Sequence, residues 1–280
     1  MPANVRIYNP NYGAGWGLRV WLGMADEVIS SWELTWRLFV RDFSARYRQT
    51  VLGVAWAVIP PIVVVGTFVI LNKSGVLNVR DTMVPYPVYA LFGLLVWQLF
   101  AGGLTSCSNA IIAAGPMVVK INFPKETLVI AAMGQTIFEF LVRMIMLATL
   151  MLVYQVAPKW TAVFFPLTVL PLLLFTMGLG LIFSFMSVVL RDIVSFVSLA
   201  TVFLMFLTPV LYPAPPSELF AKLMKVNPLS GLIIASRDVV FTGYLTNPSS
   251  FIWSSVLSVI LLLLAWRIFH LVEFKMGEVV

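Results

Sequence analysis

Cysteine and histidine are nearly missing from this sequence. One of each occurs in 280 residues, Cys107 and His270. An internal disulfide is therefore excluded, and the two residues alone offer no constellation for a zinc or copper site. Charge is scarce as well. Asp, Glu, Lys and Arg make up 11% of the chain, against roughly 25% in a soluble domain. A phosphate-cradling G-x-x-x-x-G-K-[ST] loop is absent. So are a His-based nucleophile arrangement and any cluster of acidic residues suited to bond cleavage. These absences argue against nucleotide hydrolysis or bond-making by this chain. The first 30 residues hold Asn, Gly, Asp and Glu without a compact apolar stretch, so no cleavable signal peptide is expected.

What is present is apolar. Hydrophobic residues make up 60% of the chain. Several runs near 20 residues are almost free of charge, the length a helix needs to cross a bilayer. Backbone polar groups must be satisfied inside lipid, and these runs are too long for barrel strands. The fold class expected is an all-α integral membrane protein. Six spans are expected, at about 52–72, 86–106, 128–155, 162–188, 193–211 and 251–270. No internal repeat of the kind built into many secondary transporters is visible.

The net charge of +6 is read by its placement across the membrane, not as a nucleic-acid footprint. Arg6, Arg19, Arg37, Arg41, Arg46 and Arg48 precede the first span. With that end cytoplasmic, six spans return the C-terminus to the same side, together with Lys120, Lys125, Arg191, Arg267 and Lys275. Lys73, Arg80, Lys159, Lys222, Lys225 and Arg237 then fall opposite.

Just before the first span, Trp32, Trp36, Phe39, Val40, Phe43 and Tyr47 share a sector of about 100° on a helix. Arg37, Arg41 and Arg48 group on another face. The pattern predicts an amphipathic helix in the cytoplasmic interface. It serves either as a membrane-entry anchor or as a contact for a cytoplasmic partner. Pro60 and Pro61 are expected to break or kink the span that follows.

Four further features are candidates for function. After the second span, Gly115-Pro116 and a second proline punctuate a helical segment. Lys120, Phe123, Pro124, Lys125 and Glu126 then form an elbow, apolar on one side and basic on the other. It is either a docking surface or a segment lying on the membrane. Arg191 and Asp192 occupy a tight turn as helix caps or as a partner contact. Glu139 and Arg143 stand i, i+4 in the middle of the third span, where a charge is costly, and pairing is expected. The stretch 212–250 is Pro-rich at first. It then starts a helix at Asn227-Pro228 and ends at Gly243, a re-entrant or interfacial helical pair shaping an outer mouth. Tyr86, Tyr89, Trp97 and Phe100 share a face of the second span, as Phe196, Phe203 and Phe206 do on the fifth. These aromatics either line a channel or pack. Thr176, Gly180, Ser184 and Ser187 form a small-residue stripe for helix contact on the fourth span.

Four blocks, "RDFSARYRQTVLGVAWAVIPP", "VVKINFPKE", "VLRDI" and "NPLSGLIIASRDVVFTG", occur in this order. Together they resemble the ABC-2 type permeases that export polysaccharide, the O-antigen, capsule and teichoic-acid exporters. The resemblance covers about residues 30–275. It implies an N-terminal extension over 1–29, a gate helix over 30–50, a transmembrane domain over 51–275 and a cytoplasmic tail over 276–280. Arg37, Arg41, Arg46 and Arg48 would belong to the gate helix and meet the anionic head group of the substrate. Lys120, Phe123, Pro124, Lys125, Glu126, Arg191 and Asp192 would couple to the ATPase. The stretch 212–250 would supply periplasmic re-entrant helices. The partners implied are a second copy of the chain, two ABC ATPase subunits carrying ATP and Mg, a lipid-linked glycan and membrane lipid. No cofactor is implied in this chain itself, and the place implied is the bacterial inner membrane. Competing expectations are an ABC-2 exporter of a small lipid or drug, and a subunit of a membrane enzyme outside the ABC class.

Overall fold

Prolines mark where several of the helices start. A computed structural model describes residues 17–48, 50–76, 79, 82–121, 123–213, 223, 224 and 226–279. Within them, Pro60 and Pro61 lie in the first turn of α3 (Ile59–Lys73), Pro87 in that of α4 (Tyr86–Lys120), and Pro166 in that of α6 (Phe165–Val189). Pro228 opens α8 (Pro228–Phe241). A first-turn proline gives up an N–H that has no helical partner anyway. Pro60 and Pro61 break the first apolar segment as expected: Gly53–Lys73 opens with a tight 3₁₀ turn at Gly53–Ala57, and a separate α-helix starts at Ile59.

The remaining helices are α1 (Leu18–Ser30), α2 (Trp32–Tyr47), α5 (Glu126–Val153), α7 (Asp192–Phe206) and α9 (Pro248–Val279). Among the described residues, five segments are long and apolar enough to cross a membrane: Gly53–Lys73, Tyr86–Gly115, Glu126–Val153, Trp160–Val189 and Pro248–Glu273. The chain is an all-α membrane bundle. The fifth expected span falls on α7, whose 15 residues are apolar but short of the roughly 20 that cross a bilayer. One expectation fails outright. Gly115-Pro116 does not interrupt α4, which runs unbroken to Lys120.

The core is built around α4. Buried residues fill 78% of its apolar window, against 17% for the α3 segment, so α4 is interior and α3 peripheral. It packs between α5 and α6, and α9 lies on the far side of α6. Close approach of α4 and α6 comes from the expected small-residue stripe. Thr176, Ser184 and Ser187 are fully buried, Ser187 Oγ donates to the Ser108 carbonyl at 2.6 Å, and Gly180 sits against Cys107. A Cβ on Gly180 would meet Cys107 at 2.6 Å, so only glycine allows this spacing.

The α8 helix is buried against α6 and α9. Asn227 caps it by accepting from the Leu229 N–H at 3.0 Å. Gly243 ends it at φ +90, a left-handed position suited to glycine. Helix start and stop match the sequence expectation for this stretch. Residues 1–16, 214–222 and 225 carried part of the expectations for the N-terminal extension and the outer segment, and they lie outside the described residues.

Candidate functional site

The α2 helix lies along α5. Phe43 meets Phe138 edge-to-face at 4.7 Å, and Phe39 packs over Gly134. Trp36, Phe39, Phe43 and Tyr47 form a continuous row of rings at the helical i, i+3/i+4 spacing. The expected aromatic sector is thereby split. Phe39, Phe43 and Tyr47 turn toward α5, while Trp32, Trp36 and Val40 are exposed. The arginine face points the other way, and Arg41 Nη1 lies 3.4 Å from Met117 Sδ on α4.

Glu139, halfway along α5, ties both ends of the connection between α2 and α3 to the bundle. Its Oε1 accepts from Arg46 Nη1 at 2.5 Å and from the Tyr47 hydroxyl at 3.2 Å. Its Oε2 accepts from Arg143 Nη2 at 2.8 Å. Arg143 Nε donates onward to the Ala57 carbonyl at 2.9 Å, closing the 3₁₀ turn before α3. Burial, and then the Glu139 charge, raise the Tyr47 pKa above its ordinary value, which keeps the hydroxyl a donor. Arg46, Tyr47, Thr50, Trp56, Ala57, Glu139 and Arg143 line a cleft of about 320 Å³. Two guanidinium groups face one carboxylate there, so the cleft carries an excess of one positive charge. Its chemistry suits an anion beside an apolar surface.

Sequence reasoning found the Glu139–Arg143 pair, because i, i+4 spacing is visible in one dimension. It missed Arg46 as the third member, since 93 residues separate Arg46 from Glu139. Trp56 and Tyr47 were also missed as cleft walls. The other arginines of α2 do not converge. Arg37 pairs with Glu33 at 2.6 Å and Arg41 with Asp42 at 2.7 Å, while Arg48 caps the helix end and is exposed.

The elbow folds under the bundle. Phe123, Pro124, Lys125 and Glu126 are buried; Lys120 and Ile121 are exposed. The Lys125 backbone N–H donates to Glu273 of α9 at 3.2 Å. Arg191 and Asp192 stand exposed at the start of α7, Arg191 as the N-cap and Asp192 in the first turn. The two aromatic sets part company. Tyr86, Tyr89, Trp97 and Phe100 are buried within the chain, whereas Phe196, Phe203 and Phe206 are more than half exposed.

At the start of α4 a second arginine is held in a different way. Arg237 of α8 is buried, with Nη1 2.5 Å from the Tyr89 hydroxyl and Nη2 2.8 Å from the Val210 carbonyl. Nη1 also reaches the Pro209 carbonyl at 3.2 Å, and the guanidinium lies 3.8 Å over the Tyr89 ring. Gly93 makes room for this arrangement, for a Cβ there would collide with both Val210 and Arg237.

A family model described as ABC-2 type transporter matches residues 33–241. The O-antigen export system permease protein RfbA of Klebsiella pneumoniae is 27% identical over 244 residues, covering 85% of this chain and 92% of the relative. The protein of the same name from Myxococcus xanthus is 27% identical over 236 residues, 83% and 90% of the two chains. The polysialic acid transport protein KpsM of Escherichia coli is 22% identical over 244 residues, 83% and 91%.

Proposed function

Because the chain belongs to the ABC-2 type transporter family, we propose that it is the permease subunit of an exporter of lipid-linked polysaccharide. The glycan is of O-antigen, capsule or teichoic-acid type, and ATP is hydrolysed as its Mg complex on a separate subunit. Relatives named for O-antigen export and polysialic acid transport support the substrate class. The observation that carries the mechanism is the cleft between α2 and α5, with Arg46 and Arg143 against the single carboxylate of Glu139.

The lipid-linked glycan enters head first beside α2. The anionic head displaces part of Arg46's contact with Glu139 and takes charge-assisted hydrogen bonds from the freed guanidinium. Arg143 stays engaged with Ala57 and holds the turn that leads into α3. Two copies of the chain pair, and the exposed row Phe196, Phe203 and Phe206 on α7 faces the shared path, where rings stack on sugar faces. The buried set on α4 keeps the bundle rigid. Exposed Lys120, Arg191 and Asp192 meet the ATPase, whose closure moves the bundle between two states.

Arg46→Lys tests the head-group role. Lysine keeps the charge but lacks the planar fork. Export and substrate-stimulated ATP hydrolysis should fall about tenfold, the equivalent of one lost charge-assisted contact of about 1.4 kcal/mol. Insertion and assembly with the ATPase should be unchanged. Export at the original rate would remove Arg46 from substrate recognition.

A further inference from the structure

Glu126, His270 and Glu273 meet at the end of the bundle where α5 starts and α9 finishes. They are 3%, 8% and 1% exposed. One ligand-capable atom of each lies within 4.8 Å of the others. His270 Nδ1 stands 3.4 Å from Glu126 Oε1 and 3.5 Å from Glu273 Oε1, with Glu27 Oε2 of α1 at 4.0 Å. These separations are long for hydrogen bonds to a carboxylate, which center below 3 Å. The two from His270 to Glu126 and Glu273 are close to the edge of a tetrahedron around zinc, whose bonds of about 2.0–2.1 Å put neighbouring ligand atoms about 3.3–3.4 Å apart.

Two further observations point to a ligand. The second oxygen of Glu126, Oε2, is buried with no hydrogen-bond partner, a costly state for a carboxylate inside a bundle. The second oxygen of Glu273, Oε2, is oriented by the Lys125 backbone N–H at 3.2 Å, the kind of outer contact that holds a metal-binding carboxylate in place. Fully buried Arg267 lies one turn earlier on α9, with Nη1 3.9 Å from Met24 Sδ of α1. Met24 is buried, and Trp21 meets Trp266 edge-on at 6.0 Å, so α1 is seated on this end of α9.

We propose that Glu126, His270 and Glu273 form a binding site for a divalent transition-metal ion of the zinc class, with Glu27 of α1, its Oε2 4.0 Å from His270 Nδ1, standing beside the three as a candidate fourth ligand. One imidazole and two or three carboxylates make a donor set of borderline hardness, suited to zinc rather than magnesium. Of the four residues only Glu126 lies within the family-matched segment 33–241. The ion would therefore pin α1 and the end of α9, both outside that segment, to the start of α5. It would fix the geometry of the buried elbow 123–126 from behind, leaving Lys120 and Ile121 free on the outside.

The test uses the full-length chain in detergent, stripped with chelator and then supplied with zinc. Elemental analysis should give about one zinc per chain, as for a single closed site. The melting temperature should rise with zinc concentration, and magnesium should not reproduce the rise. Glu126→Gln and His270→Asn should each lower bound zinc about tenfold, in line with loss of one ligand. Chelation should speed proteolytic removal of the segment containing α1. The stripping experiment needs no variant, so it stands even where a substitution prevents folding. Background zinc together with an unchanged melting temperature would overturn the proposal, leaving a charged cluster completed by Arg267. Zinc retained in full by both folded variants would overturn it equally.

Discussion

Arg237 and Arg46 are the same residue in two settings, and the difference separates structure from traffic. Arg237 is buried, and Nη1 and Nη2 point to oxygens of the protein itself. Nε is buried without a partner, but Nη1 and Nη2 are not released to a ligand without dismantling the contact of α8 with α4 and with the turn after α7. Arg46 is about half exposed, shares one carboxylate with a second arginine, and opens onto a cleft. A guanidinium that must be satisfied from within is a brace. A guanidinium in positive excess beside an open volume can exchange its partner for an incoming anion.

The largest effect is expected at the brace. Arg237→Ala leaves the Tyr89 hydroxyl and two carbonyls without their donor in a buried site, and should cost at least the roughly 1–3 kcal/mol of one buried polar group left unsatisfied. Gly93→Val should be as severe, because its Cβ has no room beside Val210. Both are read as loss of monodisperse protein and a lowered melting temperature. A stable Arg237→Ala protein would break the comparison at its first term. Next comes the anchor under the cleft. Glu139 and Arg143 are 16% and 11% exposed. Either alanine substitution should destabilise by less than the roughly 3–5 kcal/mol of a fully buried pair. The double substitution should melt above Glu139→Ala alone, which leaves Arg46 and Arg143 facing each other. If all three melt together, Glu139 is not the shared partner.

On the outer faces folding should hardly change. Phe203→Ala with Phe196→Ala should shift stability by no more than about 0.5 kcal/mol as surface substitutions do, yet lower export. Unchanged export would remove these rings from the path. Lys120→Glu with Arg191→Glu should fold normally and lose ATPase stimulation. Retained stimulation would move the docking surface elsewhere.

How far the sequence could be read follows the same division. Spans were legible because lipid demands long apolar runs: 86–106, 162–188 and 251–270 were expected, and Tyr86–Gly115, Trp160–Val189 and Pro248–Glu273 are found. Signals carried by neighbours in the chain were legible too, such as the Asn227-Pro228 start, the Gly243 stop and the Glu139–Arg143 spacing. Facing was not. The stripe Tyr86, Tyr89, Trp97 and Phe100 has the same periodicity whether it looks at a channel or at α5, α6 and α8, and here it is buried. The inward side of the elbow was not legible either: residues 123–126 are buried, and Lys125 and Glu126 meet Glu273 and His270 of α9, about 150 residues later. His270 was set aside as solitary for the same reason, since its neighbours come from α1, α5 and its own helix.

The most direct measurement sets Arg46→Lys beside Arg237→Lys in reconstituted transporter. Melting temperature and substrate-stimulated ATP hydrolysis per folded molecule are recorded for both. The account predicts that Arg46→Lys melts like the original and hydrolyses about tenfold less in response to substrate, while Arg237→Lys melts lower and its surviving molecules respond normally. Full substrate response in Arg46→Lys, or a lowered melting temperature there with Arg237→Lys unaffected, would contradict it.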